Sequence, residues 1–187
     1  MVKIILFGDS ITAGYEEGLT DFRLNEKIEA VFDEIEVINA GIPGNTTKEA
    51  IERVERHVLR YEPDLVTVFF GANDVSLIRG VSLEAYKKNM LALIERIGSD
   101  KMILIGTPYA SQIFYATERP LERLKEFSDC VREISLEQGI SYIDLLEAML
   151  ADQPESYLQR DGLHFSEAGY ELLARLINEE IRKKKEG

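Results

Sequence analysis

Five short, continuous apolar runs constrain the fold of this chain more than any other feature. They cover residues 3–8, 36–40, 65–70, 101–106 and 140–144. An apolar run without alternation indicates a strand that is covered on both faces, as strands are in a parallel sheet. The sequence therefore predicts five buried strands in one parallel sheet.

Segments with helical periodicity separate these strands. They span residues 21–33, 47–60, 82–97, 119–137 and 166–185, with a further short helix at 145–150. Alternating strands and helices imply right-handed crossovers and a doubly wound α/β layer structure. Because no internal repeat, low-complexity linker or shift in composition divides the chain, we expect residues 1–187 to form a single domain.

Four polar segments are expected where strands end. They are Gly8–Ser10, the glycine turn at Gly41, Gly71–Asp74 and Asp161–His164. Ligands of an open parallel sheet bind beyond the carboxyl ends of the strands, where the strand order reverses. With strand order 2-1-3-4-5, the first three segments converge on one crevice, and the fourth lies in the loop after the fifth strand.

Together these segments supply the groups for acyl transfer through a serine. Ser10 offers the nucleophile, and Asp161 precedes His164 at a spacing that places its carboxylate against Nδ1 and leaves Nε2 free for Ser10. The amides of Ser10 and Gly41 and the side chain of Asn73 are the expected oxyanion donors. Taken singly, the serine would also fit a helix cap, the glycine a loop and the asparagine a turn.

Charge and chain length exclude several classes of protein. A formal net charge of −12 would repel a phosphate backbone, so nucleic acid is not an expected partner. No apolar run approaches the roughly 20 residues of a membrane-spanning helix, so membrane insertion is not expected. Only three residues precede Ile4 in the first strand, which leaves no room for a signal peptide and predicts a cytoplasmic location.

No metal or other cofactor is expected. The lone cysteine, Cys130, excludes an internal disulfide and a multi-cysteine metal site, and fits a buried apolar position. The acids near the crevice are Asp9 and Asp74, and the chain has only two histidines, too few for a metallophosphoesterase site. We expect Asp9 to fix the turn before Ser10 through hydrogen bonds.

The four segments resemble the conserved blocks of the SGNH hydrolases, also called GDSL esterases or lipases. The matching stretches are ILFGDSITAG (5–14), NAGIPGNTT (39–47), VFFGANDVS (68–76) and DGLHFSEAGY (161–170). The third and fourth are most similar to small bacterial lipases or acylhydrolases and to isoamyl acetate-hydrolysing esterases. The resemblance implies a three-layer α/β/α sandwich of the flavodoxin-like type and ester hydrolysis without a cofactor.

By the same resemblance, the family's serine corresponds to Ser10, its glycine to Gly41 and its asparagine to Asn73. Its histidine corresponds to His164, with Asp161 as the aspartate. The implied substrates are small-molecule esters, and no oligomeric state is implied.

The substrate is less constrained than the reaction. Ile11, Ile42, Tyr109 and Phe114 are candidate substrate-binding residues. The apolar side chains of residues 113–115 fit either the wall of an acyl pocket or packing beneath their loop. Small, short-acyl esters are favoured over long-chain lipids because the chain has no long lid segment.

Other functions stay open at this point. An acyl thioesterase and a carbohydrate deacetylase would use the same catalytic groups. A non-catalytic flavodoxin-like module that binds a phosphate beside Ser10 is less favoured, because the first loop is not glycine-rich and binding alone does not explain Asp161 and His164.

Overall fold

A computed structural model, which describes residues 1–186, contains the parallel sheet that the sequence predicts. The strands are β1 (Val2–Gly8), β2 (Tyr15–Glu16), β3 (Leu19–Thr20), β4 (Ile35–Gly41), β5 (Leu65–Phe69), β6 (Met102–Ile105) and β7 (Ser141–Ile143). Five of these strands form one parallel sheet in the order β4-β1-β5-β6-β7, and β2 and β3 form a separate hairpin. This is the predicted order 2-1-3-4-5, so the expected fold class is confirmed.

Helices cover both faces of this sheet. They are α1 (Ser10–Ala13), α2 (Arg23–Glu29), α3 (Thr47–His57), α4 (Leu83–Ile97), α5 (Leu121–Gln138), α6 (Leu145–Leu150) and α7 (Glu167–Glu186). α2 packs against α7, whereas α3, α4 and α5 pack side by side in succession. These two groups form the outer layers of the α/β/α sandwich. Within residues 1–186, no helix combines the length and the apolarity needed to cross a membrane.

Burial explains the continuous apolar runs. Every side chain from Ile4 to Phe7 in β1 is fully buried, and β5 and β6 are buried along their whole lengths. A strand that is covered on both faces cannot alternate between apolar and polar residues. Cys130 is also buried, as the sequence predicts.

Several helices begin or end at residues that the sequence marks as helix caps. Thr46 and Glu49 form a capping box before α3, and Ser82 accepts a hydrogen bond from the Ala85 amide at the start of α4. Gly139 ends α5 with φ of 65°, a left-handed conformation that glycine adopts without strain.

The region between β1 and β4 differs from the prediction. The helix expected at 21–33 is shorter, and Phe22 and Val31, which flank it, are exposed. The short β2–β3 hairpin before it was missed, since two-residue strands carry no detectable periodicity. Glu17 and Gly18 turn the hairpin with φ of 47° and 90°, as a two-residue hairpin loop requires.

Candidate active site

Ser10 lies at the first turn after β1, on the edge of the sheet where the carboxyl ends of the strands meet. The chain turns sharply there because Gly8 has no side chain: a Cβ would lie 2.0 Å from Thr12 Oγ1 and 2.7 Å from the Phe69 carbonyl oxygen. Asp9 caps α1, and its Oδ1 accepts a hydrogen bond of 2.9 Å from the Ile11 amide. Asp9 thus fixes the turn, as expected.

The structure brings Asp161 and His164 to Ser10. His164 Nε2 lies 3.0 Å from Ser10 Oγ, and His164 Nδ1 lies 2.6 Å from Asp161 Oδ2. Because the carboxylate accepts the Nδ1 proton, Nε2 is the nitrogen that can accept the hydroxyl proton of Ser10. The three side chains therefore form a continuous hydrogen-bonded chain from carboxylate to hydroxyl.

Asp161 is held by its own loop. Its Oδ1 accepts hydrogen bonds from the amides of Leu163 at 2.9 Å and His164 at 3.0 Å. Partial burial alone would raise the pKa of Asp161, but the hydrogen bonds from His164 and these amides outweigh it and lower the pKa. The carboxylate therefore stays charged opposite the imidazole.

This loop does not directly follow a strand, contrary to the sequence-based expectation. Between β7 and Asp161 the chain forms α6 and a short 3₁₀ helix at Pro154–Tyr157. An isolated bridge between Leu158 and Phe165 closes the loop. Within this loop, the backbone N–H of Gln159 donates to the His164 carbonyl at 2.7 Å. The position of His164 thus depends on local closure of the loop.

Tyr15 also contacts the imidazole and was missed by the sequence analysis. Its ring lies against the ring of His164, with the centroids 4.5 Å apart. Gln159 Nε2 donates to the Tyr15 carbonyl at 3.0 Å, which ties the hairpin to the histidine loop. No motif or periodicity in the sequence could have indicated this contact.

Asn73 lies at the cavity beside Ser10, as predicted. Its Nδ2 donates to the Asn45 carbonyl at 3.0 Å, and Asp9 Oδ2 lies 3.5 Å away. The amide group is thereby held in one orientation between the loops that follow β4 and β5.

Gly41, in contrast, is not placed at the cavity, and the prediction that its amide is an oxyanion donor is corrected. Its N–H donates to Asn39 Oδ1 at 2.9 Å. Its Cα packs against α1, where a Cβ would lie 2.4 Å from the Ala13 nitrogen and 2.8 Å from the Asp9 oxygen. Gly41 is therefore a close-packing residue.

Gly44, three residues further on, lies at the cavity with Ser10 and Asn73. The Asn45 amide donates to the Ile42 carbonyl, and Gly44 has φ of 80°. Proline followed by a glycine with positive φ is the pattern of a type II turn. A Cβ on Gly44 would meet nothing within 4 Å. The Pro-Gly pair was the sequence signal for this turn.

Arg53 joins the loops beneath the cavity and was also missed. Its guanidinium donates to the Gly8 carbonyl at 2.8 Å, the Ala40 carbonyl at 2.8 Å and Asn45 Oδ1 at 2.6 Å. It also stacks on Phe7, 4.5 Å from the ring centroid. Burial lowers its pKa to about 10, so the group stays charged at neutral pH.

Two buried acids lie in the same layer as Arg53. Asp74 is fully buried, and its Oδ1 accepts from the Thr47 amide at 2.9 Å and the Thr47 hydroxyl at 2.6 Å. Burial raises the pKa of Asp9 to about 7 and that of Asp74 to about 6. The hydrogen bonds of both acids hold backbone turns, which indicates a structural role.

The cavity at Ser10 has a volume of about 540 Å³. Besides Ser10, Gly44, Asn73 and His164 it is lined by Tyr15, Pro43, Thr46, Ser76, Arg79, Tyr115, Glu118, Arg119 and Leu163. Ser76, Arg79, Glu118 and Arg119 were not predicted, because no motif around them indicates binding. Tyr115 belongs to residues 113–115, for which a pocket wall was one of the two expectations.

None of the four predicted substrate-binding side chains lines this cavity. Ile11 is fully buried in the core, and the buried Tyr109 donates its hydroxyl to Glu155 Oε1 at 2.8 Å. Phe114 lies over Gly162 with its ring exposed to solvent, and Ile42 is partly buried in the turn before Gly44. These four predictions are therefore corrected.

Within residues 1–186, no cluster of three or more histidine, cysteine, aspartate or glutamate side chains is placed to hold a metal ion. The polar groups that meet around Ser10 are a hydroxyl, an imidazole, the carboxylate behind it and a side-chain amide. This set suits nucleophilic attack on a carbonyl and stabilisation of the resulting oxyanion.

Comparison with known proteins agrees with this chemistry. Residues 6–172 match the GDSL-like lipase/acylhydrolase family. A lipase/acylhydrolase from Enterococcus faecalis has a similar structure, with a TM-score of 0.94 and 42% identity over 98% of this chain and 97% of that chain.

Two curated esterases are also similar over most of their length. An acetylxylan esterase of Geobacillus stearothermophilus is 30% identical, over 96% of this chain and 93% of that protein. The mouse isoamyl acetate-hydrolyzing esterase 1 homolog is 29% identical, over 91% of this chain and 78% of that protein. The chain therefore belongs to the GDSL-like lipase/acylhydrolase family and is a carboxylic ester hydrolase.

Proposed function

We propose that this chain cleaves short-acyl esters through a Ser10–His164–Asp161 triad and an acyl-enzyme intermediate. The observation that carries the proposal is the continuous hydrogen-bonded chain, with 3.0 Å between Ser10 Oγ and His164 Nε2 and 2.6 Å between His164 Nδ1 and Asp161 Oδ2. A nucleophile, a base and a carboxylate that orients the base are the set that this chemistry needs.

The reaction proceeds in two halves. Ser10 Oγ attacks the acyl carbon while His164 Nε2 takes the hydroxyl proton, and the protonated imidazole then donates that proton to the departing alcohol. A water molecule next attacks the acyl-enzyme and gives a proton to His164. Return of that proton to Ser10 Oγ releases the carboxylic acid and restores the free enzyme.

The oxyanion of each tetrahedral intermediate needs hydrogen-bond donors that are already in place. We assign this role to the amides of Ser10 and Gly44 and to Asn73 Nδ2. The Ser10 amide is in the first turn of α1, where amides have no partner within the helix. Gly44 replaces Gly41 in this assignment because its turn faces the cavity.

Acetyl and other short-acyl esters are the proposed substrates. Two similar proteins are named for hydrolysis of isoamyl acetate and of acetylxylan, and both are acetyl esters. Acetylated carbohydrate is therefore the second candidate substrate, favoured by the polar side chains in the cavity wall. A cytoplasmic location and a single domain stay predictions.

A fluorophosphonate probe combined with Ser10→Ala tests the mechanism. The wild type should be labelled at Ser10 and should hydrolyse 4-nitrophenyl acetate. Ser10→Ala should lose labelling and lower kcat by about 10⁵–10⁶-fold, as for removal of a serine nucleophile elsewhere. Ser99→Ala, at the opposite end of the sheet, is the control and should retain both. Labelling that persists in Ser10→Ala would contradict the proposal.

A further inference from the structure

Part of the wall of the cavity at Ser10 is polar. The loops after β5 and β6 supply it with Ser76, Arg79, Tyr115, Glu118 and Arg119. Ile113 and Phe114, the large apolar side chains of the second loop, do not line the cavity and are 74% and 62% exposed. An acyl chain alone would leave this wall unused, so the wall indicates a polar group on the substrate.

Most of the charge in this wall is already paired. Arg119 Nη1 lies 2.8 Å from Glu118 Oε1, and Arg119 Nε donates to the Ala72 carbonyl at 3.1 Å. Glu118 also accepts a hydrogen bond of 2.7 Å from Ser76 Oγ. Glu118 and Arg119 therefore neutralise each other and hold the two loops together.

Arg79 is different. Its side chain is exposed at the cavity, and within residues 1–186 its guanidinium takes part in no hydrogen bond or ion pair. The chain as a whole carries a formal charge of −12. An unpaired positive charge in the cavity of so acidic a protein would concentrate the local field on an anionic ligand.

The backbone beneath Arg79 is fixed. The Arg79 amide donates to Ser76 Oγ at 3.1 Å, and the Val81 amide donates to the Asp74 carbonyl at 2.9 Å. Arg123 donates from Nη2 to the Val81 carbonyl at 2.8 Å. A Cβ on Gly80 would lie 2.1 Å from the Asp74 oxygen, so the loop is packed too tightly for another residue there.

We propose that Arg79 binds an anionic group, a carboxylate or a phosphate, carried by the ester substrate. This inference rests on the proposed function, because it places the anion in the same cavity as Ser10. A guanidinium offers two parallel N–H groups that match the oxygens of a carboxylate or phosphate. Arg79 would thus select charged esters over neutral esters of the same shape.

Matched ester pairs test this selection. Mono-4-nitrophenyl succinate against its methyl ester places the anion on the acyl part. 4-Acetoxybenzoate against its methyl ester, and 4-acetoxyphenyl phosphate against 4-acetoxyanisole, place it on the alcohol. For at least one pair, wild-type kcat/KM should favour the anion. Arg79→Gln should lower that preference about tenfold, as expected for a charge-assisted hydrogen bond.

Two further variants make the result decisive. Arg79→Glu should disfavour the anionic ester below its neutral partner, whereas Arg56→Gln, an exposed arginine of α3, should leave the preference unchanged despite the same loss of charge. No anion preference in the wild type, or a preference that Arg79→Gln and Arg56→Gln lower equally, would overturn the inference. Hydrolysis of neutral esters in those cases would leave the Ser10 mechanism standing.

Discussion

The two halves of the proposed active site differ in how their residues are held in place. The loop half consists of Asp161 and His164 within residues 158–165, and its hydrogen bonds join residues a few positions apart. The strand-end half consists of Ser10, Gly44 and Asn73, which follow three different strands (β1, β4 and β5) at the edge of the sheet. Only the folded sheet brings the members of this second half together.

The two halves also differ in how deeply the groups that support them are buried. The Asp161 side chain is 42% exposed, so water reaches the loop half. Beneath the strand-end half lie the buried groups Asp74 and Arg53, and Arg53 Nη2 donates to a carbonyl 45 residues away in the sequence. The proposed base is therefore held by local turn chemistry, whereas the proposed oxyanion donors are held by the core.

The largest expected effect lies in the loop half. Asp161→Asn keeps an oxygen for the Leu163 and His164 amides but removes the charge opposite the imidazole. The kcat for 4-nitrophenyl acetate should fall about 10⁴-fold, as when a triad aspartate becomes asparagine elsewhere. The urea midpoint should change little, because the loop bonds survive.

The matched control for this experiment is Asp152→Asn, an exposed acid in the preceding loop. It should retain wild-type kcat. A loss below tenfold in Asp161→Asn would show that Asp161 does not orient His164, and that the loop half is only a surface turn.

Sequence reasoning succeeded where the determining contacts are local or periodic. Buried strands, capped helices and the Asp161–His164 spacing each leave a pattern within a few residues. The strand order belongs to the flavodoxin-like fold that the family resemblance implies, and the crossover rules add only the handedness of the connections. The fold and the loop half were therefore predictable from the sequence.

The second prediction concerns how Asp74, beneath the strand-end half, makes the stability of the fold depend on pH. Burial raises the pKa of Asp74 to about 6 from about 3.9 in an unfolded chain. The folded state therefore binds this proton more tightly, and the stabilisation is complete below pH 4 and lost as pH rises through 6. Asp161 has the opposite sign, because its lowered pKa favours the folded state when the carboxylate is charged.

Asp74→Asn should remove this dependence while its oxygen still accepts from Thr47. Relative to the wild type, the free energy of unfolding should gain about 2–3 kcal/mol between pH 4 and pH 7, measured by urea unfolding at several pH values. Asp152→Asn should follow the wild-type curve. Parallel curves for Asp74→Asn and the wild type would mean that the pKa of Asp74 is the same in the folded and the unfolded state.

What the sequence did not predict lies in the long-range contacts. Gly41 ends β4 and Gly44 lies only three residues later in the following loop, and the packing of Gly41 against α1 separates their roles. Arg53 has the sequence environment of an ordinary helix arginine, yet it joins the loops. Ile11, which follows Ser10, and Tyr109, in the loop after the fourth strand, were expected at the substrate, but both side chains are buried in the core.

The smallest effect tests how the core holds the oxyanion donors. Arg53 Nε donates to Asn45 Oδ1 at 2.6 Å, and the Asn45 carbonyl accepts from Asn73 Nδ2 at 3.0 Å. Asn45→Ala removes the acceptor of Arg53, so Gly44 and Asn73 should lose alignment. We expect kcat to fall about tenfold, the cost of one hydrogen bond, with KM within twofold. Asn45→Asp keeps the oxygen and should stay within threefold.

A double-mutant cycle separates alignment from general damage. Asn73→Ala alone should lower kcat by about 10²–10³-fold, the usual cost of one oxyanion donor. If Asn45 acts through Asn73, adding Asn45→Ala to Asn73→Ala should cost much less than its effect in the wild type, because the group it aligns is already gone. Fully additive losses would mean that Asn45 does not act through Asn73, and that the alignment of this donor does not depend on the bond between Arg53 and Asn45.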